Sequence, residues 1–359
     1  MPSDVSWWTT VKREAILYDK LDRNAVRCRV CQWECRIADG KLGVCRTRLN
    51  DGGTLYSLIY GAASSVNADP IEKKPLFHFH PASTVFSLGS WGCNFHCKHC
   101  QNWQISYARP SGSGWAVEGN ARGDGEEISP RRAIALAEKY GCGGIAWTYN
   151  EPSIWLEYTL DTARLARKAG MYTAYVTNGY MSEAALDEMG PFLDAYRVDV
   201  KGFGGKPYRD LARVTRPEGI LRVAERARRH WGMHVEVVTN IVPTVNDDPG
   251  QFAAIATWIR DALGPDSPWH VTRFFPHAEM AHLPPTPVST IMRAREIGFQ
   301  SGLRFVYAGN LPGSDAENTY CPGCGKLVVK RSGFRAQLLG VAPGGKCRYC
   351  GADLNMRGV

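Results

Sequence analysis

The strongest chemical signal in the sequence is a group of three cysteines in one short stretch, Cys93, Cys97 and Cys100 of GSWGCNFHCKHCQNW, spaced C-x3-C-x2-C. Three thiolates crowded into a loop suit a [4Fe-4S] cube, which binds cysteine sulfur, and they leave its fourth iron without a protein ligand. The competing reading is a zinc site of three cysteines completed by His96 or His99. Zinc motifs favour pairs of C-x2-C hooks, which this loop lacks. An apolar run, Thr84 to Leu88, leads into Gly89 and Gly92, so the cysteines belong to a loop just after a strand.

Two further groups of four cysteines flank this loop. Cys28, Cys31, Cys35 and Cys45 are spaced C-x2-C-x3-C-x9-C, with Gly40 and Gly43 supplying tight turns. Four ligands close a tetrahedral zinc site, and four cysteines equally suit an auxiliary iron-sulfur cluster; zinc or another closed structural site is the simpler expectation. Cys321-x2-Cys324 and Cys347-x2-Cys350 form two hooks, each followed by glycine, the pattern of a four-cysteine zinc ribbon whose closed coordination serves stability or docking. The twelfth cysteine, Cys142 in GCGG, reads as a small packed residue. Twelve cysteines in a chain without a signal peptide or an apolar run of about 18 residues read as metal ligands and imply a cytoplasmic protein with no membrane role. Counting the bound thiolates, the formal charge of +8 falls to about +3. The basic pI therefore gives no argument for nucleic-acid binding.

The elements that must position these groups follow from periodicity. From Thr84 onward, short β-branched or aromatic runs alternate with helical patterns, which signals βα units and a parallel sheet. The expected strands are 84–88, 144–148, 172–176, 196–200, 235–241 and 270–275, with 304–307 as an added one. Helices are expected from Ser129-Pro130 to about Tyr140, then over 154–168, 182–189, 220–229, 249–262 and 288–300. Six such units make a partial (β/α)6 TIM-type barrel, flanked by an N-terminal four-cysteine module and a C-terminal zinc ribbon. The expected divisions are 1–81, 82–312 and 313–359. The lead-in Val11 to Leu21 reads as a helix or an extended segment, 52–68 as a strand or hairpin, and the proline-rich 69–81 excludes a regular helix. There Glu72, Lys73 and Lys74 are either a solvated run or the lining of a site mouth. The long Gly/Ser-rich connection from Gln104 to Glu127 reads as a mobile lid anchored by Trp115, or as disorder.

Polar or turn-forming residues fall at each expected strand exit: Thr148-Tyr149-Asn150-Glu151-Pro152, Thr177-Asn178-Gly179-Tyr180, Asp199-Val200-Lys201-Gly202, Asn240-Ile241-Val242-Pro243 and Phe274-Phe275-Pro276-His277. Barrels of this kind carry their sites at the C-terminal strand ends.

The C-x3-C-x2-C loop resembles the signature of the radical S-adenosylmethionine (SAM) enzymes. The resemblance implies SAM chelated on the open iron, its reductive cleavage to methionine and a 5'-deoxyadenosyl radical, and hydrogen abstraction from a substrate. It places His99 where the superfamily has an aromatic ring beside adenine. TYNEP resembles the GGEP element, with Tyr149-Asn150 in place of the usual glycines, making Thr148, Tyr149, Asn150 and Glu151 candidate SAM contacts. TNG and DVK resemble elements of glycyl-radical-enzyme activases, implying Thr177, Asn178, Asp199 and Lys201 near the ribose, carboxylate and sulfonium; Val242 and Pro243 complete the candidate set. Val176 stands where those activases have an acidic residue, which puts their cation site in doubt, and Asp199 with Lys201 reads alternatively as a rim ion pair. His270, Arg273, His277 and Asn310 are candidates for the substrate side.

Together with DPIEKKPLFHFHP, PWHVTRFFP, AGNLPG and the ENTYCPGCGK ribbon, these motifs resemble the radical SAM component of the AmmeMemoRadiSam system, related to pyruvate formate-lyase activating enzymes. The two proteins encoded beside that component are candidate partners, with an electron donor such as flavodoxin or ferredoxin. The resemblance supplies no substrate; a protein residue is the favoured one. The competing class is a non-catalytic adaptor in which three zinc sites staple a protein or nucleic-acid docking surface.

Overall fold

A computed structural model describes residues 11–111, 114–116, 122–123 and 125–359. The chain folds into two compact units, one of Met1–Ala68 with Phe86–Asp194 and one of Asp69–Val85 with Ala195–Val359. The fold is α/β with a mostly parallel central sheet.

Strands β1 (Thr84–Gly89, in the first unit from Phe86 on), β2 (Gly144–Trp147) and β3 (Tyr172–Thr177) neighbour one another in the order β3-β2-β1, with Ser65–Pro70, in the first unit up to Ala68, beyond β1. β2 and β3 pair in parallel, Gly144 opposite Tyr172 and Trp147 opposite Tyr175. Helix α1 (Pro130–Lys139) starts as its sequence demands: the Ser129 hydroxyl accepts from Arg132 N at 3.2 Å and proline fills the first turn. Helix α2 (Leu156–Lys168) returns the chain to β3, and α3 (Glu183–Met189) follows it, capped by Ser182. All four residues of β2 are buried, which accounts for its unbroken apolar run.

The N-terminal residues build two small antiparallel sheets of the same unit. Tyr18–Lys20, Val26–Cys28 and Arg36–Ile37 form one; Arg13–Glu14, Thr54–Ser57 and Arg48–Asp51 form the other. The lead-in is thus extended rather than helical. Of the connection between the cluster loop and α1, Arg109–Ser111, Gly114–Ala116 and Arg122–Gly123 are strands, and Glu126–Glu127 pairs with Ala62–Ala63. Trp115 is an anchor: it is buried and stacks on Trp91 at 6.1 Å with planes 5° apart. The remainder of the expected lid, 112–113, 117–121 and 124, lies outside the described residues.

In the second unit, β4 (Ala195–Asp199), β5 (His234–Ile241), β6 (Trp269–Arg273) and β7 (Val306–Gly309) pair in parallel in chain order. They are joined through α4 (Gly205–Ala212), α5 (Glu218–Arg229), α6 (Pro249–Trp258), which continues as a π-helix over Ile259–Leu263, and α7 (Val288–Gln300). The sequence reading missed α4, whose GGKP opening carries turn residues. Gly298 lets α7 lie close on the sheet, since a Cβ there would stand 2.9 Å from Val306 Cγ2. The cysteine hooks at the C-terminus frame strands Leu327–Ser332 and Arg335–Leu338 over a core of Val328, Val329, Leu354 and Met356.

Neither alternative for the Glu72–Lys74 run describes its outer members: Glu72 is buried and accepts from Ala82 N at 2.8 Å, and Lys74 is buried against Asp69 at 2.6 Å. Burial pulls the Lys74 ammonium down to about 8, with Asp69 opposing. The basic ribbon segment KLVVKRSGFRAQ is likewise not wholly a solvated face. Arg331 is buried, donates to Phe77 O at 2.8 Å and Thr319 Oγ1 at 2.7 Å, and lies 4.0 Å over the Phe77 ring. Among the described residues, no helix is long and apolar enough to cross a membrane.

Candidate active site

β1 delivers the chain into the Cys93, Cys97 and Cys100 loop, and the exits of β2 and β3 hold that loop in place. Gly92, at φ +79, is required here, because a Cβ would meet Thr47 Cγ2 at 2.5 Å and Cys45 O at 2.8 Å. Asn150 clamps the loop from the β2 exit. Its Oδ1 accepts from Ser90 N at 3.0 Å, and its Nδ2 donates to Ser90 Oγ at 3.0 Å and Gly92 O at 2.8 Å. Asn102, past the last cysteine, donates to Tyr149 O at 2.7 Å. Tyr149 itself sits at φ +72, a conformation that favours glycine. That is where the GGEP element has glycine, so this chain keeps the backbone shape and pays in strain.

Glu151 is 1% exposed and its carboxylate is fully used. It accepts from Ser153 N at 3.0 Å, from Thr177 Oγ1 at 2.8 and 3.0 Å, and from Asn178 N at 2.8 Å. Burial raises its proton affinity above the usual carboxylate range, while those donors pull the other way. Asn178 in turn places its Nδ2 2.8 Å from Asn94 Oδ1 and 3.9 Å from Cys93 Sγ. The structure therefore brings together Cys93, Cys97, Cys100, Thr148, Tyr149, Asn150, Glu151, Thr177 and Asn178. His99, beside Cys100, is buried.

The three cysteines are half-buried, and Cys93 Sγ accepts from Phe95 N at 3.4 Å. Burial, with Cys97 and Glu151 nearby, pushes the Cys93 thiol well above its ordinary value, a cost that a bound metal cation reverses. Three half-buried cysteines on one loop, with the Phe95 amide and the Asn178 side chain turned towards Cys93 sulfur, offer thiolate ligands and tuning donors, so the residues fit an iron-sulfur cluster.

The N-terminal module packs onto this same ground. Gln32 N donates to Tyr180 O at 3.0 Å, Ser182 N to Val30 O at 2.9 Å, and Ser182 Oγ to Arg29 O at 2.6 Å. Cys28, Cys31, Cys35 and Cys45 line one cavity with Val30, Trp33, Ile37, Arg48 and Ile154. Burial pushes the Cys28 thiol up to about 11, and the Cys31 thiol well above its usual value. At the C-terminus, the Sγ atoms of Cys321, Cys324, Cys347 and Cys350 lie within 4.8 Å of one another, with Cys321 3.5 Å from Cys350 and Cys324 3.8 Å from Cys347.

Residues 90–256 match the Radical SAM superfamily. An uncharacterized protein of Methanocaldococcus jannaschii is 39% identical over 345 residues, 96% of this chain and 99% of that protein. The chain belongs to the radical SAM superfamily. Radical SAM proteins use a [4Fe-4S] cluster and SAM, so this chain is an enzyme, and the adaptor reading falls. The isethionate sulfite-lyase activating enzyme of Nitratidesulfovibrio vulgaris is 28% identical over 119 residues, 33% of this chain and 39% of that enzyme. A radical SAM methyltransferase structure from Sphaerobacter thermophilus aligns at 16% identity over 69% of this chain and 71% of its own, with a TM-score of 0.48.

The other predicted residues of this radical SAM chain lie in the second unit. Asp199, at the end of β4, is paired with Arg197 and lies 3.4 Å from Lys201 Nζ. Burial opposes its ionisation, yet the two cations hold it below the usual carboxylate range. Val242 and Pro243 are buried, and Val242 N donates to Asn246 Oδ1 at 2.7 Å. Asn246, which the sequence reading passed over, also donates to Lys201 O and Asn240 O at 2.8 and 3.0 Å, tying two strand exits. An asparagine amid the turn residues PTVNDDP was its only signal in the sequence.

His270 is not free for a substrate. It is 2% exposed and lies 2.7 Å from Glu236, a fully buried carboxylate that also receives His234 at 2.9 Å, His78 N at 2.8 Å and Phe77 N at 3.1 Å. Arg273 donates to Thr286 O at 2.7 Å, and Asn310 donates to Arg273 O at 3.0 Å. His277 is half-buried beyond the exit of β6.

Proposed function

We propose that this enzyme cleaves SAM reductively to methionine and a 5'-deoxyadenosyl radical and uses the radical to take a hydrogen atom from a protein residue, as the radical SAM component of an AmmeMemoRadiSam system. The observation that carries the reading is the loop of Cys93, Cys97 and Cys100 held between Asn150 and Asn178 at two neighbouring strand exits. When bound there, a [4Fe-4S] cluster supplies one electron to the sulfonium of SAM, with flavodoxin or ferredoxin as the donor class.

The chain's own residues do the positioning. Asn150 and Asn102 fix the two ends of the loop. Asn178 turns an amide donor towards Cys93 sulfur, where it moderates the charge that reduction adds. Glu151 is a positioning residue, because its acceptor sites are taken by Ser153, Thr177 and Asn178. It orients the TNG turn, which with Thr148 and His99 borders the ground offered to SAM. The four-cysteine modules flank the catalytic sequence at both ends, which suits a macromolecular substrate. The isethionate sulfite-lyase activating enzyme is, by name, an activator of another enzyme, in keeping with that choice. The ribbon cysteines hold zinc, since sulfurs on one zinc at about 2.3 Å stand roughly 3.8 Å apart, matching the spacing of both observed pairs.

The test is protein dependence of SAM cleavage. Anaerobic enzyme with SAM and reductant is given each of the two proteins encoded beside this family component, and 5'-deoxyadenosine is counted against hydrogen lost from the protein. A rate that rises with one protein, with a matching mass or radical change on it, supports the reading; stimulation by neither contradicts it.

A further inference from the structure

We infer that Cys28, Cys31, Cys35 and Cys45 hold a second, fully cysteine-ligated iron-sulfur cluster rather than zinc. Sulfur spacing separates the two groups of four. Four thiolates sharing one zinc at about 2.3 Å must approach to about 3.8 Å, whereas thiolates on the corners of a [4Fe-4S] cube stand roughly 6 Å apart. Among the described residues, the ribbon cysteines are the group in which three or more ligand atoms come within 4.8 Å of one another. The N-terminal four do not reach that spacing, although all of them line one cavity. Cys93, Cys97 and Cys100, the cysteines of the radical SAM signature, likewise do not gather as a set within 4.8 Å of one another. The two sites that look alike in sequence as four-cysteine groups therefore differ in geometry, and the N-terminal one goes with the catalytic loop.

Arg48 gives a second, independent indication. It is 1% exposed and lines the same cavity. Its Nη1 and Nη2 are spent on Glu157 at 3.0 and 2.9 Å and on Ile154 O at 3.2 Å, while its buried Nε–H has no hydrogen-bond partner. Buried donors are rarely left unpaired. A cluster bears sulfide as well as thiolate acceptors, and N–H donors to those sulfurs are a recognised means of setting its properties. The remaining walls, Val30, Trp33, Ile37 and Ile154, keep water from a site of this kind.

Four protein ligands leave no open iron, so this second site cannot chelate SAM; its role is that of a closed centre beside the catalytic one. Trp33, in the cavity wall, donates from Nε1 to Asn94 O at 2.8 Å, one residue from Cys93. Cys45 O lies where Gly92 has no room for a Cβ.

The test uses the full chain with Cys93, Cys97 and Cys100 all replaced by alanine, reconstituted anaerobically with iron and sulfide. About four irons per chain, and an electron paramagnetic resonance signal on dithionite reduction, are expected. Adding Cys31→Ser and Cys35→Ser should remove both while ribbon zinc remains, which also reports that the variant has folded. Wild-type protein should hold about eight irons against about four for the triple variant. A triple variant with no iron and a second zinc overturns the inference, as does a folded wild type that never exceeds four irons. Neither result depends on SAM cleavage, so failure here is separate from failure of the proposed reaction.

Discussion

The indole Nε1 of Trp33 donates to the main-chain oxygen of Asn94 at 2.8 Å. That single bond links the wall of the N-terminal four-cysteine cavity to the residue beside Cys93. With the stitching of Val30 and Gln32 onto Tyr180 and Ser182, it makes the N-terminal module part of the support of the catalytic loop. Loss of the module should therefore disturb the loop as well.

Asn150 is the most economical place to probe that support. Asn150→Ala removes three hydrogen bonds from the turn at Ser90 and Gly92. At about 1 kcal/mol each, the loss is about 3 kcal/mol. Iron retained after gel filtration should fall by about the four irons of the catalytic cluster, and full retention would show that the clamp is dispensable.

Arg48 and Glu157 form a buried ion pair at 2.9 Å, with both side chains nearly sealed from water. Burial disfavours the guanidinium, but the Glu157 carboxylate and neighbouring thiols hold it charged. Arg48→Ala leaves an unpaired carboxylate and should cost about 3–5 kcal/mol in denaturant unfolding. Replacing both by apolar residues of similar volume should recover much of that. A single variant as stable as wild type would contradict the pairing.

Much of this fold was legible because its strands are β-branched runs whose exits carry the chemistry. The strand over 172–176 could be read from its aromatic and β-branched residues, and the helix over 182–189 from its helical pattern. The catalytic loop was legible because cysteine spacing is local. What escaped is non-local. The lead-in, which its sequence left between helix and extended, is a strand at Arg13–Glu14 because Ser57 and Tyr56 pair with it, and Glu236 is tolerable inside β5 only because His234, His270 and the backbone of Phe77 and His78 reach it. No window of sequence shows a partner 158 residues away. Asn150 was read as a replacement for glycine and a candidate SAM contact; that its amide also clamps the loop was not visible in the sequence.

Acid should loosen the second unit first around His78. Its Nδ1 faces Leu354 O at 2.7 Å and must carry the proton, leaving Nε2 to accept from Tyr307 at 2.5 Å. Burial lowers its affinity for a second proton from 6.5 to about 3, outweighing Glu236. Between those values the unfolded chain binds more protons than the folded one, so stability rises with pH there and is lost as pH falls from about 6.5. Burial likewise lowers His270, and Glu236 is held ionised against its own burial by His234 and His270, so both act in the same direction. Protection factors at Val306–Gly309, corrected for the intrinsic pH dependence of amide exchange, should fall progressively below pH 6.5; protection unchanged down to pH 4.5 would contradict the assignment.

At the ribbon, one zinc per chain is expected, and Cys324→Ser should release it. Because strands Leu327–Ser332 and Arg335–Leu338 carry little core beyond Val328 and Val329, metal removal should raise protease cleavage in the C-terminal segment. Chelation that leaves the cleavage pattern unchanged would show that the core suffices without metal.

The most direct measurement is 5'-deoxyadenosine formation by anaerobically reconstituted protein given SAM and dithionite, with Cys97→Ala as control. The account predicts product from wild type and none from the variant. Wild-type protein that is fully loaded with iron and sulfide and binds SAM, yet forms no more product than Cys97→Ala with or without the two neighbouring proteins, would contradict it.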